Sequence, residues 1–249
     1  MPRLLKLGCT FAITALCLQP AKAQAPLADL APTAAAQPAT TNSIKPTPQS
    51  YISRFEMFAA PSYMTSPKLN LVQRGLNANF LINVNRWLGV GADYTDLSGR
   101  SDVVPQELTP ALQNLLSASV PAGTVIAVPY KSSARAFGVG PQVHFRFLHR
   151  ATFFIRPAGG MLHESITLSP DNPLTAALVG QIVPSHQKSD LTIFYGGGGG
   201  VDLNVSKHVG VRVAADFVHY RLFNDLLATG QNSVRLSLAP IFRFGGNVR

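Results

Sequence analysis

One hairpin-like pattern constrains the fold of this chain more than any other feature of its sequence. Across residues 75–95, apolar side chains alternate with asparagine, glycine and aspartate, and the alternation is interrupted at Asn85 and Arg86. Successive side chains of a strand point to opposite faces, so the pattern predicts two strands and a tight turn, with one apolar and one polar face. Such a hairpin suits either a soluble barrel with an apolar interior or a membrane barrel with an apolar exterior.

The first residues predict export from the cytoplasm. Two basic residues, Arg3 and Lys6, precede an apolar run over residues 7–18, and small residues flank Lys22 in residues 21–23. A charged start, an apolar stretch and a small-residue cleavage site together define a secretory signal peptide. We therefore expect residues 1–23 to be removed during export.

Removal of this signal peptide changes both the cysteine content and the charge of the chain. Both cysteines, Cys9 and Cys17, lie inside it, so no disulfide is expected in the mature protein. Because residues 1–23 hold three basic residues and no acidic one, the net charge falls from +9 to +6. The remaining basic residues are scattered without aromatic residues between them, so no nucleic-acid partner is predicted.

The rest of the chain divides into a linker and one domain. Residues 24–50 are rich in alanine, proline and threonine, which predicts a flexible periplasmic segment because so little apolar surface is available for burial. Residues 51–245 have the length of a single all-β domain, and residues 246–249 form a short C-terminal overhang.

Eight strands are predicted within the domain from alternating faces and turn residues. Pro157 is unfavourable inside a strand and leaves the register of the fifth strand open. A short helix is expected near residues 108–116. The strands cover residues 52–64, the two halves of the hairpin, 132–148, 151–163, 190–205, 209–222 and 232–244. Short turns at 85–87, 149–150 and 206–208 alternate with loops near 65–70, 96–131, 164–189 and 223–231.

The connections and the ionisable residues favour the membrane barrel. Outer-membrane barrels have short turns at one rim and longer loops at the other. Nearly every polar face carries an ionisable residue, whereas a lipocalin-like soluble barrel keeps its charges outside. We therefore predict an all-β, eight-stranded, antiparallel, up-and-down transmembrane β-barrel with an apolar exterior and a polar lumen. The predicted lumen network contains Glu56, Asp93, Arg146, Arg156, Asp202, Arg212, Asp216, Arg235 and Arg243.

The sequence resembles the small eight-stranded outer-membrane β-barrels, which are similar to the OmpA transmembrane domain, and in particular the Acidobacteria-type barrel domain. The resemblance rests on residues 85–90, on the glycine-rich stretch before Asp202 and on residues 235–245, and it covers about residues 51–245. It implies a monomeric outer-membrane protein that contacts outer-membrane lipids and lipopolysaccharide. It also implies periplasmic chaperones and the barrel-assembly machinery as partners, and no cofactor.

The resemblance also assigns two groups of residues near the membrane surface. The family's C-terminal assembly signal, a polar residue, a glycine and two aromatics, corresponds to Ser237, Ala239, Phe242 and Phe244. Ala239 replaces the usual glycine, and residues 245–249 extend beyond the last aromatic. Aromatic side chains near the short turns are expected at the membrane interface. These interface aromatics are Trp87, Phe145 and Phe147.

Several patterns that suggest chemistry have simpler explanations. The run Gly196–Gly200 lacks the Lys-Ser/Thr of a phosphate-binding loop, so we interpret it as space for bulky lumen neighbours. The histidines show no metal spacing. His163 with Glu164 and Ser165, or His219, could supply a base and a nucleophile at a loop-proximal strand end. Strand neighbours point to opposite faces, so no catalytic, cofactor or metal site is predicted.

The predicted function is structural: a barrel that anchors external loops in the cell envelope. A narrow pore for ions or small solutes is an alternative, since the lumen is charged. Adhesion through the inserts at 96–131 and 164–189 is another, because these inserts exceed what chain closure needs. A lipid or peptide hydrolase at the outer rim is the least favoured. If the apolar strand faces instead pointed into the barrel, the chain would be a soluble ligand-binding protein of the lipocalin type.

Overall fold

The computed structural model describes residues 51–120, 124, 126–228 and 230–248, which form a closed barrel of eight strands. The predicted signal peptide and the segment 24–50 lie outside the described residues. Each strand pairs in antiparallel fashion with the next, and the last pairs with the first, as an up-and-down barrel requires. The strands are β1 (Ser53–Ser66), β2 (Leu71–Asn83), β3 (Leu88–Val103), β4 (Val128–Phe145), β5 (Ala151–Leu168), β6 (Gln187–Asn204), β7 (Val209–Tyr220) and β8 (Gln231–Asn247).

The two ends of the barrel differ in their connections. One end, which we call the turn end, has turns of four or five residues at 84–87, 146–150 and 205–208. The other end, which we call the loop end, has the connections 67–70, 104–127, 169–186 and 221–230. The second of these carries the helix α1 (Pro110–Ser119), and the third carries α2 (Pro173–Ile182). Among the described residues, neither helix is long and apolar enough to cross a membrane.

Strands at the loop end are longer than the sequence predicts. β3 continues to Val103, β5 continues to Leu168, and β6 begins at Gln187. The long connections are therefore 104–127 and 169–186, not 96–131 and 164–189. The prediction failed here because the outward side chains become polar near the loop end, so the hydrophobic alternation stops although the backbone ladder continues.

Prolines interrupt the ladder along two seams of the barrel. Pro141 and Pro157 lie on β4 and β5, and Pro61 and Pro240 lie on β1 and β8; all four are exposed on the outer face. The described pairing skips residues 140–142 between β4 and β5, and 59–61 between β1 and β8. Proline has no backbone N–H to donate, so each gap in the ladder coincides with two prolines on the neighbouring strands. Pro157 thus fits within β5, and its register with β6, opposite Gly197, stays regular.

Candidate functional site

The polar strand faces point into the barrel, where ion pairs form a first cluster near the turn end. Arg212 donates two hydrogen bonds to Asp202, from Nε to Oδ1 at 2.6 Å and from Nη2 to Oδ2 at 2.8 Å. Its Nη2 atom also donates to Glu56 Oε2 at 3.2 Å. Arg243 Nη2 donates to Asp202 Oδ2 at 3.2 Å. Arg243 Nε and Arg146 Nη2 lie 3.7 and 3.8 Å from Glu56 Oε1. Two carboxylates and three guanidinium groups therefore share one buried site, which we call the turn-end cluster.

A second, central cluster lies further toward the loop end. Arg156 donates from Nε to Asp216 Oδ1 at 2.9 Å and from Nη2 to Asp216 Oδ2 at 2.6 Å. Arg235 donates from Nη2 to Asp216 Oδ2 at 2.9 Å and from Nη1 to Asp93 Oδ1 at 2.8 Å. Arg156 Nη1 completes the ring at 3.4 Å from Asp93 Oδ2. Each charge in this cluster has two partners of opposite sign, and the two clusters together hold all nine residues of the predicted lumen network.

Aromatic rings hold the guanidinium group of Arg212, in the turn-end cluster, in place. The Arg212 Cζ atom lies 5.1 Å from the ring centroid of Phe58 and 4.5 Å from that of Phe154. A cation over a ring face is attracted by the ring quadrupole, and the attraction grows where water is excluded. Arg212 is about 1% exposed, so both its charge partners and its ring contacts act in a dry environment.

The glycine run of β6 makes space for lumen side chains. A Cβ atom on Gly198 would lie 2.1 Å from Asp216 Oδ1, and one on Gly200 would lie 2.9 Å from Phe154 Cζ. Both distances are too short for real side chains, so glycine here allows Asp216 and Phe154 to occupy the lumen. The run lies within a strand and packs against neighbours, in accord with its interpretation from the sequence.

The outward faces of the strands are apolar around the barrel. Leu76, Leu191 and Ile193 expose 66%, 59% and 72% of their surface, and exposed large apolar or aromatic side chains occur on all eight strands. A monomeric soluble protein rarely exposes a contiguous apolar surface this large, whereas a membrane barrel combines an apolar outer band with a polar interior. The fold is that of a small OmpA-like outer-membrane β-barrel.

No protein-family model and no curated protein matches the chain. Among solved structures, the chain is similar to the attachment invasion locus protein Ail of Yersinia pestis, in complex with the heparin analogue sucrose octasulfate. The two sequences are 15% identical, the TM-score is 0.42, and the match covers 76% of this chain and 97% of Ail.

Two further solved structures are similar to the OmpA-like barrel. Neisserial surface protein A is 12% identical with a TM-score of 0.47, covering 76% of this chain and 96% of that protein. The outer membrane protein OprG of Pseudomonas aeruginosa is 10% identical with a TM-score of 0.41, covering 80% and 99%. The narrower resemblance to Acidobacteria-type barrel domains stays a prediction.

The loop end of the OmpA-like barrel is covered by a cap, which we define as the described parts of residues 104–127, 169–186 and 221–230. Backbone bonds join two of its segments: Thr109 N donates to Leu226 O at 2.8 Å, and Ala228 N donates to Glu107 O at 3.0 Å. Partial burial raises the pKa of the Glu107 carboxyl group, and a hydrogen bond from the Val104 backbone opposes this rise. Two of the three cap segments, 104–127 and 221–230, are thus tied to each other.

Both cap helices turn an apolar stripe toward the barrel mouth. On α1, Leu112 and Leu116 are four residues apart, so they lie on one helix face. On α2, residues 175, 178, 179 and 182 follow the same helical spacing and line the same space. The helix predicted near residues 108–116 corresponds to α1. α2 was not predicted, although Asn172 accepts a hydrogen bond from Thr175 N at 2.8 Å as a helix N-cap.

The structure separates the residues considered for catalysis. His163 is exposed on the outer face of β5, whereas Glu164 is buried in the lumen with 5% exposure. His219 Nδ1 lies 2.6 Å from Asn232 Oδ1, and its ring packs against Tyr195 with centroids 4.9 Å apart. Sequence reasoning did not place Glu164 in the lumen, although extending the alternation from Arg156 along β5 puts it on the same face.

The aromatic and C-terminal residues lie near the turn end. Trp87 and Phe147 are exposed in turns, and the ring of Phe147 stacks on Phe145 with centroids 6.1 Å apart. In β8, Phe242 and Phe244 face outward, with 48% and 40% of their surface exposed. The other two residues of the predicted assembly signal, Ser237 and Ala239, are buried in the lumen. Recognition of this segment by an assembly machinery stays a prediction.

Proposed function

We propose that this chain is an integral outer-membrane barrel with a closed lumen, which anchors its cap at the outer surface of the envelope. The observation that carries the proposal is the apolar exterior around an interior of paired charges. Separating a buried ion pair leaves uncompensated charge, which costs several kcal/mol, on the order of 3–5. An ion that passed through the lumen would have to break such pairs, so the geometry favours a structural role over a pore.

The proposed location and orientation follow from the same arrangement. A barrel with an apolar outer band is stable in a bilayer, and export through the predicted signal peptide delivers it to the outer membrane. Barrels of this kind place short turns in the periplasm and long loops outside. The turn end is therefore periplasmic in this proposal, and the cap faces the exterior.

Gel mobility and conductance test the proposed function. The refolded protein in detergent is expected to migrate faster unheated than boiled, to show a β-type circular dichroism spectrum, and to give no conductance above background in planar bilayers. Closed barrels resist unfolding by detergent because their backbone bonds are all satisfied internally. Discrete conductance steps would instead favour the narrow pore. A water-soluble protein with unchanged mobility would favour a soluble ligand-binding barrel.

A cationic patch on the outer wall supports contact with anionic lipid headgroups, which we propose are the phosphates of lipopolysaccharide. Arg100 of β3 and Lys131 of β4 are directly opposed in the sheet, and both are exposed. Like charges directly opposite each other destabilise a sheet, so an anion held between them would offset the repulsion. Arg74 on β2 is the diagonal neighbour of Arg100, and the exposed hydroxyl of Ser133 lies on the same face two residues from Lys131.

The double variant Arg100→Gln/Lys131→Gln tests this lipid contact. We expect its affinity for diphosphorylated lipid A, measured by fluorescence anisotropy in neutral detergent, to fall about thirtyfold, since each of the two cations near a surface contributes about 1 kcal/mol. The variant Arg54→Gln/Arg86→Gln, which removes two exposed arginines near the turn end, is the matched control and should bind normally. Equal binding of dephosphorylated lipid A by the native protein would contradict the phosphate contact.

A further inference from the structure

An apolar cavity of about 100 Å³ lies between the cap and the barrel mouth. Leu112 and Leu116 of α1 and Val179 and Ile182 of α2 form its outer side, and Ile166 of β5 contributes to the barrel side. Apolar cavities of this order stay dry and accept small apolar molecules: one of about 150 Å³ in another protein holds benzene. The cavity here is smaller than that one, so it has the size for a short alkyl chain.

A carboxyl group lines this apolar cavity. Glu164 is 5% exposed, and its Oε1 atom accepts hydrogen bonds from Ser132 Oγ and, at 3.5 Å, from Gln73 Nε2. Both of these donors are neutral. In its ionised form, a carboxylate held by neutral donors alone in an apolar site has unsatisfied charge, so a cationic partner would stabilise that form.

Glu164 differs in this respect from the other buried carboxyl groups. Of the four that the described part of the chain contains, Glu56, Asp202 and Asp216 each lie within 4 Å of at least two arginines, whereas Glu164 forms no ion pair. The described residues thus supply cations to three buried carboxylates and none to the one that lines the cavity.

A second acceptor lines the same cavity. The Gln231 side chain is 3% exposed, and its Oε1 atom has no hydrogen-bond partner among the described residues. It is one of ten buried side-chain polar atoms without such a partner in the described part of the chain, and none of the other nine belongs to a residue that lines this cavity. Buried polar atoms are nearly always paired, so an unpaired acceptor in the same cavity as a carboxyl group without an ion pair indicates a missing donor. Both observations point to the same kind of group, one that carries several N–H or O–H donors.

We propose that the cavity beneath the cap binds a small organic ammonium ion, with its apolar body against α1 and α2 and its ammonium group on Glu164. An ammonium group has three donors and no acceptor, so it matches a cavity whose polar lining includes the acceptors of Glu164 and Gln231. The apolar walls then exclude water from the charge pair and strengthen it. This binding site adds a ligand-recognition role to the structural role proposed above.

Ligand-observed NMR with propylammonium, and with 1-propanol as the neutral comparator, tests the site on the full-length barrel refolded in detergent. Propylammonium is expected to bind the native protein at least tenfold more tightly than 1-propanol, and Glu164→Gln should abolish this preference. Asp171→Asn removes an exposed carboxylate next to α2 and should leave it intact. Heat-dependent gel mobility verifies that each variant is folded, so a failure of the barrel itself is recognised separately.

A cavity-filling variant tests the apolar part of the site without altering the carboxylate. Val179→Phe should weaken both probes at least tenfold, because the added ring occupies the space of the ligand. The proposal is wrong if propylammonium does not bind the native barrel, if 1-propanol binds equally well, or if the ammonium preference survives in Glu164→Gln. Binding unaffected by Val179→Phe would place the probe elsewhere, in the micelle or on the outer wall, and would also overturn it.

Discussion

The variant Arg212→Met is expected to destabilise the folded barrel by about 3–5 kcal/mol, the usual cost of removing one partner from a buried ion pair. Arg212 is about 1% exposed, and its guanidinium group donates to Asp202 at 2.6 and 2.8 Å and to Glu56 at 3.2 Å. Methionine retains the length of the side chain but leaves both carboxylates short of a cation. The free energy of unfolding in urea, followed by the fluorescence of Trp87, measures the loss, since the chain has one tryptophan.

Arg135→Met is the matched control for this prediction. Arg135 Nε lies 3.6 Å from Asp96 Oδ2 on the outer wall, and the two side chains are 65% and 46% exposed. Exposed pairs of this kind contribute less than about 1 kcal/mol. If the two variants lose equal stability, the lumen ion pairs do not hold the barrel together and its stability comes from backbone pairing and lipid contact.

The architecture could be predicted because a strand side chain has only two directions. Once the apolar side of the hairpin at residues 75–95 is assigned to lipid, alternation places Asp93 in the lumen, and the same rule places Arg212 and Asp216 there from β7. The choice between lipid and core required the charges, since a narrow interior can pair acids with arginines and an apolar core cannot.

The pairing inside the lumen was only partly predictable. Asp202 and Arg212 are directly opposed on neighbouring strands, as are Asp216 and Arg235, so the hairpin register alone brings each pair together. The bond from Arg156 to Asp216 joins β5 to β7 across an intervening strand. Such contacts depend on the closure and tilt of the barrel, which no local pattern encodes.

The cap illustrates what local patterns miss. The start of α2 has a recognisable signal, an N-cap asparagine at 172 followed by proline at the first helical position. Its apolar stripe faces α1 and the barrel mouth, however, and that packing depends on residues more than 50 positions apart. The cavity lined by Glu164 arises only from this packing, so neither its volume nor its polarity can be obtained from one segment of sequence.

Leu238→Arg is expected to destabilise the barrel in lipid by about 2–4 kcal/mol, the cost of an arginine on the lipid face near the bilayer midplane. Leu238 lies at the middle of β8 and points outward, with 57% of its surface exposed. Ser189→Arg, on the exposed face of β6 near the loop end, is the control and should cost at most about 1 kcal/mol, because arginine there reaches the headgroups. Urea unfolding in phospholipid vesicles measures both. Equal, small losses would mean that the outer face of β8 contacts water, which contradicts a membrane-spanning barrel.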